Sequence, residues 1–362
     1  MTTAARQAEA DQASIAFQAA LTQLGAGTVE EALLLWKAVP ATARVTTSTT
    51  WLRRAITLVM TRRRMSRDLA RAYYRLVRAL RTGSTVADPH HPEPRYVTLD
   101  VLRREFAELA GGAASGPPAL GTPEPGAGVR SVASSTPPVV DEAGQPSRPP
   151  APSDRVRVEE LPALSEGEER IEREAEAEAR TVLEALGPAN LERKTSQLDE
   201  GRPAREVDQA REEAHRQAGA RQAAAAERLV NNGARSLVWH HAGRDRRVVG
   251  YIRLSRSGTP CGWCAMLISR GPVYRSRASA EYGDGDKYHD NCHCTAEPIY
   301  SREQYGGSPL YDLNRRYEVL WPKVTRGLTG KAAVSAWRRH IRQEQKAAAL
   351  EARRAPTNVQ EA

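Results

Sequence analysis

Between Arg64 and Leu80 the chain presents two interleaved faces. Met65, Leu69, Tyr73, Leu76 and Leu80 recur at spacings of three and four, and Arg64, Arg67, Arg71, Arg75 and Arg78 recur at spacings of three and four beside them. On a helix of about 3.6 residues per turn each set occupies its own side. The apolar stripe predicts a core-facing surface. The arginine side is open to two readings: a solvated basic back, or a face that meets DNA phosphates or an acidic partner. Helical patterning of this kind extends from residue 10 to about residue 110.

The pattern stops abruptly at Gly111. From there to about Asp154 runs such as Gly111-Gly-Ala-Ala-Ser-Gly-Pro-Pro118 and Arg148-Pro-Pro-Ala-Pro152 carry no apolar period. A stretch like this buries too little surface to offset chain entropy and predicts a long disordered linker. Helical patterning resumes with both charge signs mixed over Glu168–Glu174 and a sparse apolar face of Leu183, Leu186 and Leu191. Gly187-Pro188 predicts an interruption and Asn231-Asn232-Gly233 a turn.

The period then changes. Arg247–Leu254 reads as a strand, and Cys261–Ser269 as a short helix whose first position is Pro260. Gly271-Pro272 ends it, Val273-Tyr274 suits a second strand, and Thr295–Tyr300 suits an edge strand because Pro298 cannot donate to a ladder. Asp312 to about Ala349 returns to helix, with Trp321 and Trp337 as anchors. The expected fold class is mainly α, with a small α+β C-terminal module built around a Cys/His cluster and a long disordered linker. The expected segments are a helical N-terminal region (1–110), the linker (111–157), a helical stalk (158–245), the α+β module (246–305), a C-terminal helical region (306–350) and a disordered tail (351–362).

Charge changes this picture only slightly. The net charge of +9 is compatible with a nucleic-acid or acidic-protein partner, but 44 acidic residues accompany the 53 basic ones. The start of the chain shows no apolar signal region, and no run approaches the roughly 18 apolar residues of a membrane span. The expectation is a protein without membrane contact, kept in a reducing cytoplasm where structural disulfides are rare.

All four cysteines lie between Cys261 and Cys294, as Cys261-Gly-Trp-Cys264 and His289-Asp-Asn-Cys292-His293-Cys294. Thiolates and imidazoles at short spacing suit a structural zinc ion. The preferred ligands are Cys261, Cys264, His289 and Cys294, with Cys292 close behind and His293 available. A thiol–disulfide pair at a helix start and a thiol-stapled fold are the competing readings. A nucleobase-deaminase site is set aside, because its His-x-Glu half occurs only at His91-Pro-Glu93, across the linker. Ser255, Ser257 and Ser269 lie near His240, His241 and His289 in sequence, but no Gly-x-Ser-x-Gly elbow accompanies them. They read as loop serines, and no catalytic set is assigned.

Longer strings carry more than spacing. Gly250-Tyr-Ile-Arg-Leu254, Pro260-Cys-Gly-Trp-Cys-Ala-Met-Leu267, Ser269-Arg-Gly-Pro-Val-Tyr274 and Tyr288-His-Asp-Asn-Cys-His-Cys-Thr295 together resemble actinobacteriophage head proteins. That family is called capsid maturation protease or Mu F-like minor head protein. Tyr73–Gly83, Arg228-Leu-Val-Asn-Asn-Gly-Ala-Arg235 and Asn314–Trp337 resemble its members too, so the likeness spans nearly all of the chain outside the linker. Trp263 stands where another aromatic is usual and His293 where arginine is common. The resemblance implies a head-morphogenesis role beside portal, scaffold and major capsid proteins, in the host cytoplasm during assembly and in the virion. It implies, alternatively, a protease that trims scaffold or capsid chains. A cytoplasmic thiol-redox or zinc-binding module is the reading left without it.

Overall fold

A computed structural model describes residues 2–112, 154–198, 201, 203–255, 260–272, 290, 292 and 294–354. Three long helices make its frame: α1 (Thr3–Lys37), α2 (Thr49–Thr82) and, much later, α6 (Ala204–Ala242). The Thr2 hydroxyl caps α1 by accepting from the Ala5 N–H. Gly83, at φ +77°, ends α2 in the left-handed conformation that glycine adopts without a Cβ penalty. Between these helices come α3 (Leu99–Gly112), α4 (Leu164–Leu186) and α5 (Pro188–Thr195). Pro188 at the start of α5 replaces a donor that would have gone unpaired, and this is the interruption that Gly187-Pro188 predicts.

The three frame helices share two apolar clusters. One gathers Trp36, Trp51 and Val59 with Leu183, Leu191, Ala218 and Leu229. The other gathers Phe17, Tyr73, Leu76, Leu99, Leu102 and Leu237, with Phe17 stacked on Tyr73 at 4.1 Å between ring centres. The sparse apolar face of the predicted stalk is therefore enough, because α4 and α6 pack on the other frame helices partly through alanine and glycine, such as Ala179, Ala218 and Gly219. Small side chains let helix axes approach closely. A Cβ at Gly219 would come within 2.5 Å of the Trp36 ring.

The turn expected at Asn231-Asn232-Gly233 is corrected. α6 runs straight through it to Ala242. Gly233 is where α2 crosses: a Cβ there would lie 2.8 Å from the Arg63 carbonyl oxygen. The glycine serves close approach rather than chain reversal.

Three short strands close one side. β1 (Ser84–Val86), β2 (Tyr96–Thr98) and β3 (Arg155–Glu159) form a sheet in the order β1-β3-β2, parallel between β1 and β3 and antiparallel between β2 and β3. The predicted linker lies almost wholly outside the described residues. Its last positions, 155–157, are strand, and they tie the chain beyond the linker to the chain before it.

The two-sided reading of α2 is also corrected. Arg71, Arg75 and Arg78 are buried, Arg67 is half-buried, and only Arg64 of the five is exposed. Arg67 and Arg71 meet Glu168 at 2.9 and 2.6 Å. Arg75 meets Glu105 at 2.9 Å and also Glu93, and Arg78 meets Asp245 at 2.5 Å and Glu159 at 2.6 Å. These carboxylates come from α3, α4, β3 and the loops after β1 and α6. A buried guanidinium is tolerable only with such partners, and no helical wheel of α2 displays them.

The rest of the chain packs around a two-stranded antiparallel ribbon, β4 (Gly250–Leu254) and β5 (Thr295–Ile299), paired from Gly250↔Ile299 to Leu254↔Thr295. Glu297 on β5 is fully interior and accepts hydrogen bonds from Ser14 at 2.9 Å, Tyr311 at 3.1 Å and Tyr73. This carboxylate ties the ribbon to α1 and α2. The short helices α7 (Gly262–Ile268) and α8 (Arg302–Gly307) precede α9 (Asp312–Val324) and α10 (Gly330–Arg354). Trp337 on α10 is fully buried, with Tyr317 and Trp321 of α9 edge-on to it at 5.5 and 5.3 Å. The proposed strand at Val273-Tyr274 and the tail from residue 355 lie outside the described residues. No helix among the described residues is long and apolar enough to cross a membrane.

Candidate metal centre

β4 delivers the chain to Pro260 and Cys261, and α7 starts immediately after. Cys261, not Pro260, is the residue at the helix boundary: its sulfur accepts from the Cys264 N–H at 3.4 Å and so caps α7. Pro260 precedes the cap. Cys264 sits one turn into the helix, pointing into an apolar floor that includes Leu267, Trp337 and Ile341. The second hook approaches from the other side, where Cys292 and Cys294 lie just before β5.

The sulfurs of Cys264, Cys292 and Cys294 all lie within 4.8 Å of one another, and all three residues are buried. The Cys264 and Cys292 sulfurs are 3.4 Å apart. A disulfide requires about 2.05 Å, and the four cysteines are free thiols. Two sulfurs bound tetrahedrally to one zinc at about 2.3 Å stand about 3.8 Å apart, which is much nearer the observed spacing. Cys261 is exposed, and its sulfur reaches the Cys264 thiol from the rim.

Such crowding has an electrostatic consequence. Hydrogen bonds from Cys264 and Cys294 hold the Cys292 thiol far below its ordinary pKa, despite burial and helped by the nearby Arg235. Hydrogen bonds to Cys261, Cys292 and Cys294, with burial added, push the Cys264 thiol far up. At Cys294 a hydrogen bond with Cys264 works downward, but Cys292 and burial outweigh it and push the thiol up to about 12. Thiolates this close repel one another, and a shared cation relieves the repulsion. The spacing of the three sulfurs suits a group that could hold a metal ion.

Of the residues named from sequence, the structure brings together Cys264, Cys292 and Cys294, with Cys261 at the rim. His289 and His293 lie outside the described residues. Sequence reasoning missed the support behind the hook. Arg235 on α6, only 3% exposed, donates from Nε to the Cys294 carbonyl at 2.9 Å and from Nη2 to the Cys292 carbonyl. Arg228, also on α6, donates to Asp290 Oδ1 at 2.8 Å. The two arginines are seven residues apart, about two helical turns, and that spacing was the available signal.

The histidines and serines considered for catalysis are placed differently. His241 Nε2 lies 2.9 Å from Glu168 Oε1, and His240 Nε2 lies 3.3 Å from the Leu164 carbonyl. Ser269 donates to the Met266 carbonyl at 2.8 Å within its own turn. His91 meets Asp88 at 3.0 Å, while Glu93 is engaged by Arg75. Ser257 lies outside the described residues.

A protein-family model described as VG15 protein matches residues 172–320, a span that runs from within α4 to within α9 and contains the whole cysteine centre. The match is consistent with a phage protein. No curated protein matches the chain, and no solved structure matches it.

Proposed function

We propose that this chain is a minor structural component of phage head assembly, acting with portal, scaffold and major capsid proteins in the host cytoplasm and carried into the virion. Its cysteine centre holds one structural zinc ion that fastens the β4–β5 module to the helices around it. The observation that carries this reading is the convergence of Cys264, Cys292 and Cys294 in a buried apolar setting. A structural zinc is closed by four protein ligands, and Cys261, whose sulfur reaches Cys264 from the rim, is the fourth in this reading. The family match over the same residues supports the phage assignment.

A capsid maturation protease, the other reading of the resemblance, needs a nucleophile beside an oriented base. His240 and His241 are instead enclosed in the fold, 1% and 0% exposed, out of reach of a peptide substrate. A thiol-redox pair needs only Cys261 and Cys264, and it leaves the second hook, seated on Cys264, without a purpose.

Two measurements test the proposal. Elemental analysis of protein purified under reducing conditions is expected to give about one zinc per chain, lost in Cys264→Ser. Co-expression with portal, scaffold and major capsid chains is expected to give particles that retain this protein beside uncleaved capsid chains. Size-specific cleavage abolished by a single Ser→Ala change would replace the structural role with the proteolytic one.

A further inference from the structure

We propose that Arg228 and Arg235 form an outer clamp that sets the geometry of the second metal hook, so that zinc affinity depends on two residues that touch no metal. The inference rests on the zinc reading of the cysteine centre. Both arginines project from the same face of α6, because seven residues at about 100° each return almost to the starting direction. Both grip the same short segment. Arg228 takes the Asp290 carboxylate at its entrance, and Glu178 on α4 holds the other side of that guanidinium at 3.1 Å. Arg235 takes the backbone carbonyls of Cys292 and Cys294, the two ligand residues themselves. The Asn232 side-chain oxygen accepts from Arg235 Nη1 at 3.0 Å and fixes the plane of the fork.

Holding both carbonyls anchors the backbone of each ligand residue, which leaves the two thiols directed at Cys264. The charge also matches. Thiolate ligands outweigh a divalent ion in negative charge, and Arg235 lies buried beside Cys292. Groups of this kind, behind the ligands, commonly govern metal affinity by about 10- to 100-fold. A lysine cannot replace the fork, since a rotating ammonium does not span two carbonyls in one plane.

The test is competition for zinc against a chromophoric chelator under reducing conditions, using the full chain and its Arg235→Lys, Arg235→Met and Arg228→Met variants. Far-UV circular dichroism and unfolding are measured with and without zinc. The expected result is zinc affinity about 10- to 100-fold weaker in Arg235→Met, with smaller losses in Arg235→Lys and Arg228→Met. The unfolding midpoints should differ from wild type more with zinc than without it. Folded variants with wild-type affinity would overturn the clamp while leaving the zinc reading intact. Equal destabilisation with and without zinc would reduce the arginines to ordinary packing and also overturn it. If Arg235→Met does not fold, the two milder variants decide by the same criteria. A wild-type chain that takes up no zinc overturns the zinc reading itself, and the clamp with it.

Discussion

Arg78 Nε donates to Asp245 Oδ2 at 2.5 Å, and each side chain is only 1% exposed. The pair joins the last turns of α2 to the turn after α6. Tyr74 donates to the same Asp245 oxygen at 3.0 Å, and the Arg247 backbone N–H donates to the other at 3.0 Å.

Removing the guanidinium is the more damaging change. Arg78→Met leaves the buried Asp245 carboxylate with Tyr74 and the Arg247 N–H but no paired cation, so a loss of about 3–5 kcal/mol is expected. Asp245→Ala should cost less, since Arg78 keeps its ion pair with Glu159 at 2.6 Å. Urea unfolding of both variants checks the order, and equal small losses would mean that the pair is solvated in practice.

Stability should also depend on pH through His240. Burial, then the charges of Arg244 and His241, lower its pKa to about 4 from an ordinary 6.5. Arg244 Nη1 lies 3.0 Å from His240 Nδ1, so a second ring proton would face a cation. The folded state thus binds fewer protons than the unfolded one. The stabilisation is complete above pH 6.5 and is lost as pH falls from there towards 4. Unfolding midpoints measured across that window should fall for the wild type and fall less steeply for His240→Gln.

Glu168 extends the same trend to lower pH. Burial pushes its carboxyl up, but the hydrogen bond from His241 and the charge of Arg71 outweigh it and hold the group well below the usual carboxylate range. Its contribution is present above about pH 4.3, the unfolded value, and is lost as pH falls below it. Glu168→Gln should remove this acid-side slope, and it should destabilise the neutral protein because Arg67, Arg71 and His241 lose a shared anion. A variant as stable as wild type at neutral pH would count against the network.

Gly233→Ala tests the crossing of α2 and α6. The added methyl would press on backbone, the Arg63 carbonyl, which cannot swing aside as a side chain can. A cost of about 1–3 kcal/mol is expected from overpacking. Gly306→Ala is the control, because nothing lies within 4 Å of its would-be Cβ. Thermal melts that rank the two variants the other way would sink this account of α6.

At the candidate metal centre the cysteines should not be equivalent. Cys264→Ser removes the sulfur in contact with Cys261, Cys292 and Cys294 and should abolish zinc retention. Cys261→Ser removes an exposed cap at the rim and should lower affinity without abolishing it. Metal content of the two variants after dialysis against chelator separates them, and loss of all zinc from Cys261→Ser alone would place the ion nearer the surface.

Much of this arrangement is legible along the chain because it is governed by neighbours in sequence. The apolar stripe of α2, the Gly187-Pro188 break, the β4 and β5 strands and the anchoring of Trp337 follow from side-chain period and from residues that end or start helices. The concentration of cysteines likewise marks a local centre before any fold is known. Gly233 shows the limit: in sequence it reads as a turn, because the Arg63 backbone that requires a glycine there belongs to a helix some 170 residues away. The arginines of α2 show it again. Their spacing is a property of the chain, whereas their burial depends on Glu168, Glu105, Glu159 and Asp245 arriving from four other segments.

The sequence by itself determined the helical character, the ribbon strands and the thiols available to a metal, since each depends on local periodicity or residue chemistry. Only the tertiary structure decided which charges are paired, which helices run on, and that α6 stands behind the hook with Arg228 and Arg235. Burial and ion pairing are contacts between residues remote along the chain, and a one-dimensional pattern records only one partner of each.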